Sequence, residues 1–292
     1  MSVWQTIATA IGEASGQPFE PDPPRGLGGG CINSAFRLGD GTRAWFVKTN
    51  TASKLDMFVA EAEGLDELAS AQAIRVPQAL CTGTADDLAY IVMEHVPLGH
   101  GSGRGWVEAG RKLAALHRRR AEAFGWTRDN TIGATPQQNQ WHEDWVTFWR
   151  EQRLGFQLEL AAAHGHRGRL QSLGEQLMDR FSALIDHAPE PSLLHGDLWG
   201  GNIGFDRDGD PVIYDPATYY GDREAELAMT ELFGGFSPDF YAAYQEAWPV
   251  DPGYRIRREL YNLYHVLNHL NLFGGGYGSQ AQGMMGRLLS AC

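Results

Sequence analysis

Residues 192–215 read SLLHGDLWGGNIGFDRDGDPVIYD, and this stretch sets how the rest of the chain is understood. An apolar run enters a glycine-rich loop, and the loop enters a hairpin turned at Asp208-Gly209, a pair suited to tight two-residue turns. The island of strand and loop interrupts a chain that is otherwise helical beyond residue 106. Apolar spacings of three and four predict helices over 106–123, 141–164, 169–187, 222–233 and 254–272. Upstream the period changes. Residues 2–14 predict an amphipathic helix with Trp4, Ile7, Ala8 and Ile11 on one stripe and Ser2 as its cap. Strands over 35–38 and 44–48 follow, joined at Asp40-Gly41, then a helix over 57–69 and strands over 76–81 and 89–96. Residues 97–105, PLGHGSGRG, carry four glycines and a proline and read as a mobile connector. A strand-rich first third and a helix-rich remainder predict two lobes, residues 1–97 and 98–292, facing each other across a cleft.

Within the island His195, Asp197 and Asn202 stand in the spacing H-x-D-x-x-x-x-N, and Asp215 closes the hairpin. Phosphoryl transfer asks a protein to orient a hydroxyl, accept its proton and hold magnesium against nucleotide phosphates. Asp197 suits the place beside the acceptor hydroxyl, and Asn202 and Asp215 are the hard oxygen donors that magnesium prefers. Taken singly, each residue has an ordinary explanation as a turn or strand-end residue. Their combination with an upstream lysine favours chemistry, although Asp215-Pro216-Ala217 stands where a D-F-G triplet would.

That lysine is Lys48, at the end of the strand WFVK. The chain has 24 basic residues, of which only Lys48, Lys54 and Lys112 are lysine, so a position indifferent to the choice would carry arginine. A compact ammonium fits between phosphates and a carboxylate where a planar guanidinium does not. Its partner is expected on the next helix. Glu61 shares a face with Phe58, Leu65 and Leu68, whereas Glu63 points with the polar set, so Glu61 is the choice. Gly28, Gly29 and Gly30 precede the first hairpin and offer backbone N–H groups to phosphates. Cys31 beside them reads as a small filler or as a redox-sensitive thiol. Trp141, Trp145 and Trp149 recur every four residues and read as a packed helix face; His265 and His269, with no glutamate between them, read as structural.

The formal charge is -12, with 36 acidic residues against the 24 basic ones, and the single basic run is Arg118–Arg120. Nucleic acid is therefore not an expected partner. No apolar run approaches the ~18 residues of a membrane span. The separated Cys31, Cys81 and Cys292 fit neither a disulfide framework nor a metal site, so a soluble cytoplasmic protein, monomer or weak dimer, is expected.

The strings LLHGDLWGGNIGF (193–205), VIYDPATYYGDREAELAMTELFGGF (212–236), LYNLYHVLNHLNLFGGGY (260–277), DNTIGATPQQNQW (129–141) and FWREQRLGFQLELA (148–161) resemble the fructosamine kinase, or ketoamine kinase, family. That family lies in the aminoglycoside phosphotransferase branch of the protein-kinase-like fold. The resemblance implies an α+β, bilobal architecture, with an antiparallel sheet and a helix in the N-lobe and a mainly helical C-lobe. It implies ATP and Mg2+ as cofactors and phosphorylation of the sugar 3-hydroxyl of a small-molecule or protein-bound ketoamine, which makes the adduct unstable and frees the amine. Carried over by motif, Asp197 is the proton acceptor, and Asn202 and Asp215 hold magnesium. Met93 flanks adenine, Glu94, His95 and Val96 read it through the backbone, and Asp222 and Arg223 shape the loop beneath the site. Trp199 and Gly200-Gly201 depart from relatives without removing a ligand. An aminoglycoside- or choline-type kinase and a nucleotide-binding pseudokinase are the alternatives.

Overall fold

The computed structural model of the chain describes residues 2–28 and 32–291. In chain order the elements are α1 (Val3–Ser15), β1 (Arg25–Leu27), β2 (Ser34–Gly39), β3 (Ala44–Thr51), α2 (Leu55–Ser70), β4 (Ala79–Ala85), β5 (Leu88–Glu94), α3 (Gly103–His117), β6 (Asn130–Ile132), β7 (Thr135–Gln137), α4 (Trp145–Trp149), α5 (Phe156–Ala163), α6 (Arg169–Arg180), β8 (Ser192–Leu194), β9 (Ile203–Phe205), β10 (Pro211–Ile213), β11 (Tyr219–Gly221), α7 (Arg223–Leu232), α8 (Pro238–Ala247), α9 (Tyr254–Phe273) and α10 (Tyr277–Leu289).

The first five strands form one antiparallel sheet in the order β1-β2-β3-β5-β4. Alternation along its strands gives two apolar faces. On the outer face Val47, Tyr90 and Val92 meet Ile7 and Ile11 of α1, a helix closed by a Ser2 and Gln5 capping box. On the inner face Ala89, Ile91 and Met93 meet Phe58, Leu65 and Leu68 of α2, and this core runs on without a break into the helical part. There α9 packs against α5, α7 and α10, and α3 packs against α8. Among the described residues no helix is long and apolar enough to cross a membrane.

Several elements depart from the sequence expectations. The strand placed at 76–81 runs over Ala79–Ala85, because Ile74 and Val76 are core anchors of the preceding loop. The glycine connector is tied down: Gly99 exchanges two backbone hydrogen bonds with Phe205, at 2.8 and 3.2 Å, and Ser102 caps α3 from Gly103 onward. α3 stops at His117 because the chain then turns to bridge Arg120 with Ser192. The helix expected over 141–164 begins at Trp145, capped by Asp144, and loosens into a π-helical turn over Arg150–Gly155. Trp145 and Trp149 are buried on a packed face, as the stripe implied; Trp141 lies before the helix and is 46% exposed. The short strands β6, β7 and β11 and the helices α8 and α10 had no counterpart in the expectations.

Candidate active site

Lys48 lies on the inner face of the sheet, opposite Ile91 of β5, while its strand neighbour Val47 faces the outer core. Its ammonium is 2.6 Å from Glu61 Oε1 and is also ion-paired with Asp215. Burial alone would lower the Lys48 pKa; the charges of Asp215 and Glu61 outweigh it and hold the ammonium above its ordinary value. Glu63, the rejected alternative, points outward and accepts from Arg128 at 3.0 Å.

Asp215 reaches Lys48 because its backbone is left-handed, with φ 59. Aspartate tolerates that region better than most residues, at a cost of about 1 kcal/mol or more. Behind it β9 and β10 form the expected hairpin, pairing Ile203 with Ile213, so Asn202 and Asp215 emerge side by side from its open end. Asn202 donates from Nδ2 to the Asp197 carbonyl at 2.8 Å, and more weakly to Asp197 Oδ2 and the Asp215 carbonyl at 3.4 and 3.5 Å. Its amide oxygen accepts no hydrogen bond among the described residues, and with the half-exposed Asp215 carboxylate it forms a set of hard oxygen donors suited to magnesium. Burial raises the Asp197 pKa well above the usual carboxylate range and the charge of Asp215 adds to this, while the Asn202 contact opposes it.

His195 is fully buried and joins the two halves of this arrangement. Nε2 donates to the Tyr214 carbonyl at 2.9 Å, and Nδ1 accepts the Asp197 N–H at 3.3 Å. Those two bonds fix one neutral tautomer, and burial, the largest influence, lowers the ring's pKa. Between them Gly196 has φ +85, and a Cβ there would lie 2.0 Å from the Ala217 carbonyl oxygen. Only glycine fits.

Sequence reasoning missed the residue that carries this loop. Glu226 of α7, 2% exposed, accepts the N–H groups of His195 and Gly196 at 3.1 Å each, one on each carboxylate oxygen. Buried His117 donates to the same carboxylate at 3.2 Å and accepts from Tyr244 at 2.8 Å. Asn130 and Gln137, on β6 and β7, hold the carbonyls of Thr218 and Ala217 just beyond Asp215, at 2.8 and 3.0 Å. A glutamate in a helix flanked by other acids carries no sequence signal of this task.

Met93 sits on the same face as Lys48, cross-strand from Phe46, and Glu94, His95 and Val96 leave the end of β5 beside it. The Val96 N–H has no hydrogen-bond partner among the described residues. His95 is half-buried; burial lowers its pKa and the charge of Arg37 adds to this. Gly28 follows β1 at the start of the loop to β2; Gly29, Gly30 and Cys31 lie outside the described residues. The far side of that loop is pinned by Asn50, which donates to the Ile32 carbonyl at 3.1 Å and to Asn33 at 2.8 Å.

Asp222 and Arg223, expected to shape the loop beneath the site, make their side-chain contacts away from residues 195–202. Asp222 caps α7 and accepts from His187 at 2.8 Å and Tyr261 at 2.5 Å. Arg223 stacks on Trp248 and donates to Tyr244, reaching Glu226 only through Tyr244 and His117. His187, Asp222 and Glu224 place ligand atoms within 4.8 Å of one another; His187 Nε2 and the two carboxylates are bonded to Tyr261, to Arg257 and to one another, while His187 Nδ1 is buried without a partner among the described residues.

The family model described as fructosamine kinase matches residues 3–291. The chain belongs to the fructosamine kinase family. A Synechocystis protein named as a probable ketoamine kinase is 49% identical over 287 residues, covering 98% of this chain and 97% of the relative. A chloroplastic protein-ribulosamine 3-kinase of Arabidopsis thaliana is 44% identical over 263 residues, covering 89% and 80%. Among solved structures, a Haemophilus somnus protein named as a putative fructosamine-3-kinase superposes with TM-score 0.90 at 30% identity, covering 98% of this chain and 97% of its own. A thermostable mutant of the aminoglycoside phosphotransferase APH(4)-Ia, in ternary complex with AMP-PNP and hygromycin B, superposes with TM-score 0.64 at 18% identity, covering 98% of each chain. The fructosamine kinase fold of this chain is thus the α+β, protein-kinase-like one.

Proposed function

We propose that the protein transfers the γ-phosphoryl group of ATP to the 3-hydroxyl of the sugar in a ketoamine such as a fructosamine or ribulosamine. The observation that carries this reading is the meeting of Lys48, Glu61 and Asp215 in one ion-paired group, with Asn202 bonded to both Asp197 and Asp215. Membership of a kinase family along nearly the whole chain supports it, as do relatives named for ketoamines and ribulosamines.

In this reading residues 1–97 hold the nucleotide and 98–292 the acceptor. Gly28 and the glycines after it cover the phosphates, and Lys48, aimed by Glu61, pairs with them. Met93 flanks adenine, and Glu94, His95 and Val96 read it through backbone groups. Asn202 and Asp215 would hold Mg2+, which when bound neutralises charge on the phosphate oxygens. Asp197, fixed through Asn202 and His195, orients the 3-hydroxyl and takes its proton as that oxygen bonds to phosphorus and ADP leaves. The 3-phosphorylated adduct then breaks down and frees the amine, a deglycation. A cytoplasmic setting, with free or protein-bound acceptors, fits this work.

The test is incubation with Mg-ATP and a panel of fructose-, ribulose- and erythrulose-amines beside kanamycin and choline, following phosphate transfer. Transfer to the ketoamines is expected. Transfer confined to kanamycin or choline would replace this reading with an aminoglycoside- or choline-type kinase, and no transfer to any acceptor would leave a nucleotide-binding pseudokinase.

A further inference from the structure

Arg75 sits in the loop between α2 and β4, far in sequence from the catalytic island. Its carbonyl accepts the Ile213 N–H at 3.0 Å, so its backbone is fixed to β10. From there its guanidinium reaches two carboxylates. One nitrogen donates to Asp206 Oδ2 at 2.7 Å and another to Glu94 Oε1 at 2.5 Å. Asp206 is itself fixed, 11% exposed, with its other oxygen accepting the N–H groups of Asp208 and Asp210 in the hairpin turn.

Glu94 is the last residue of β5 and the first of the segment that leaves the sheet for the helical part. Five residues on, Gly99 is paired with Phe205, the neighbour of Asp206. The segment 94–99 is therefore anchored at both ends to one hairpin tip, by backbone hydrogen bonds at Gly99 and by the Arg75 fork at Glu94. The other end of that hairpin presents Asn202 and Asp215. Without the Arg75 side chain two carboxylates would face each other across the gap, and the β5 end of the segment would keep its backbone bond from Glu94 to Gln78 but lose its side-chain tie to the hairpin.

We infer that Arg75 is a positioning residue for adenine recognition, setting the distance between the base-reading segment 94–96 and the hairpin that carries Asn202 and Asp215. The inference rests on the reading of residues 94–96 as the adenine-contacting segment. A planar fork is required to span two carboxylates, so lysine is not expected to replace it.

The experiment compares calorimetric affinities for Mg-ADP and Mg-pyrophosphate in the wild-type protein, Arg75→Ala and Arg75→Gln, with steady-state kinetics on a ketoamine. Loss of a half-exposed, two-armed ion pair is expected to weaken Mg-ADP by about fivefold. Mg-pyrophosphate affinity, kcat and the ketoamine KM stay within about twofold, so the effect falls on the ATP KM. Arg287→Ala, which removes the exposed pair with Glu259, serves as a control expected to change none of these. An unchanged ratio of Mg-ADP to Mg-pyrophosphate affinity in both Arg75 variants overturns the inference. An equal fall in both affinities, or in kcat, overturns it too, by marking Arg75 as a general stability residue. If the wild-type protein binds Mg-ADP no better than Mg-pyrophosphate, the adenine reading itself fails. Should the alanine variant not fold, the glutamine variant, which keeps length and a donor, decides.

Discussion

Replacing Glu226 by glutamine is expected to slow turnover and destabilise the fold while leaving ADP affinity near the wild-type value. The carboxylate is 2% exposed and accepts His195 N–H on one oxygen and Gly196 N–H on the other, each at 3.1 Å. Glutamine keeps one oxygen and turns the other position into a donor, so one backbone N–H must face an N–H. A buried donor without an acceptor costs about 1–3 kcal/mol, and alanine, which strands both, about twice that. Against a total stability of roughly 5–15 kcal/mol either loss is large. The kinetic effect follows from position: Asp197 is one residue beyond Gly196, and a misplacement of about 1 Å at the reacting groups costs on the order of 10²-fold in rate. Urea denaturation, Mg-ADP calorimetry and turnover on a ketoamine separate the effects. Because His117 shares the carboxylate, its removal should couple to that of Glu226 by about 0.5–3 kcal/mol in a double-mutant cycle. A Glu226→Gln protein with the wild-type denaturation midpoint and turnover would refute the reasoning.

Asp197→Ala is expected to lower kcat by about 10² to 10⁴, with Mg-ADP affinity within about threefold of wild type; near-normal turnover would remove Asp197 from proton transfer. Lys48→Arg keeps the charge but not the shape, and the buried space shared with Glu61 and Asp215 is expected to reject the larger fork, so that steady-state assays show a severe loss. His187 has its pKa lowered by burial, but the hydrogen bond and charge of Asp222 outweigh this and raise it above 6.5. The stabilisation from protonated His187 is therefore full below pH 6.5 and lost as pH rises through the folded-state value. The His187→Gln protein should lose that alkaline decline in urea midpoints measured across the range.

Local chemistry made part of the site legible. The Lys48 strand, the Asp208-Gly209 hairpin and the choice of Glu61 over Glu63 followed from turn residues, residue bias and helical faces, and the structure brings Lys48 and Glu61 to 2.6 Å. What stayed hidden depends on contacts between segments distant in sequence. Glu226 lies in a helix with Glu224 and Glu231, where nothing local sets it apart, yet residues 223–230 are all buried. The strands β6 and β7 have three residues each and exist because Asn130, Gln137 and Asn139 bond to Ala217, Thr218 and Arg153, none of which a local pattern contains. The connector over 97–105 departs from its expected mobility for the same reason: its glycines are flexible locally, but Gly99 is spent on Phe205.

The apolar core that runs from α2 and the inner face of β5 into the helices bears on how the chain comes apart. Phe58, Leu65, Leu68, Ile91 and Met93 are 3% exposed or less because residues on both sides of position 97 cover them. Cutting the chain there would uncover an apolar sheet face and strip a wall from the helical part. The proposed division at 97 thus runs through one shared core, so a fragment ending there is expected not to fold alone, and a core lesion in either half is expected to lower the stability of the whole.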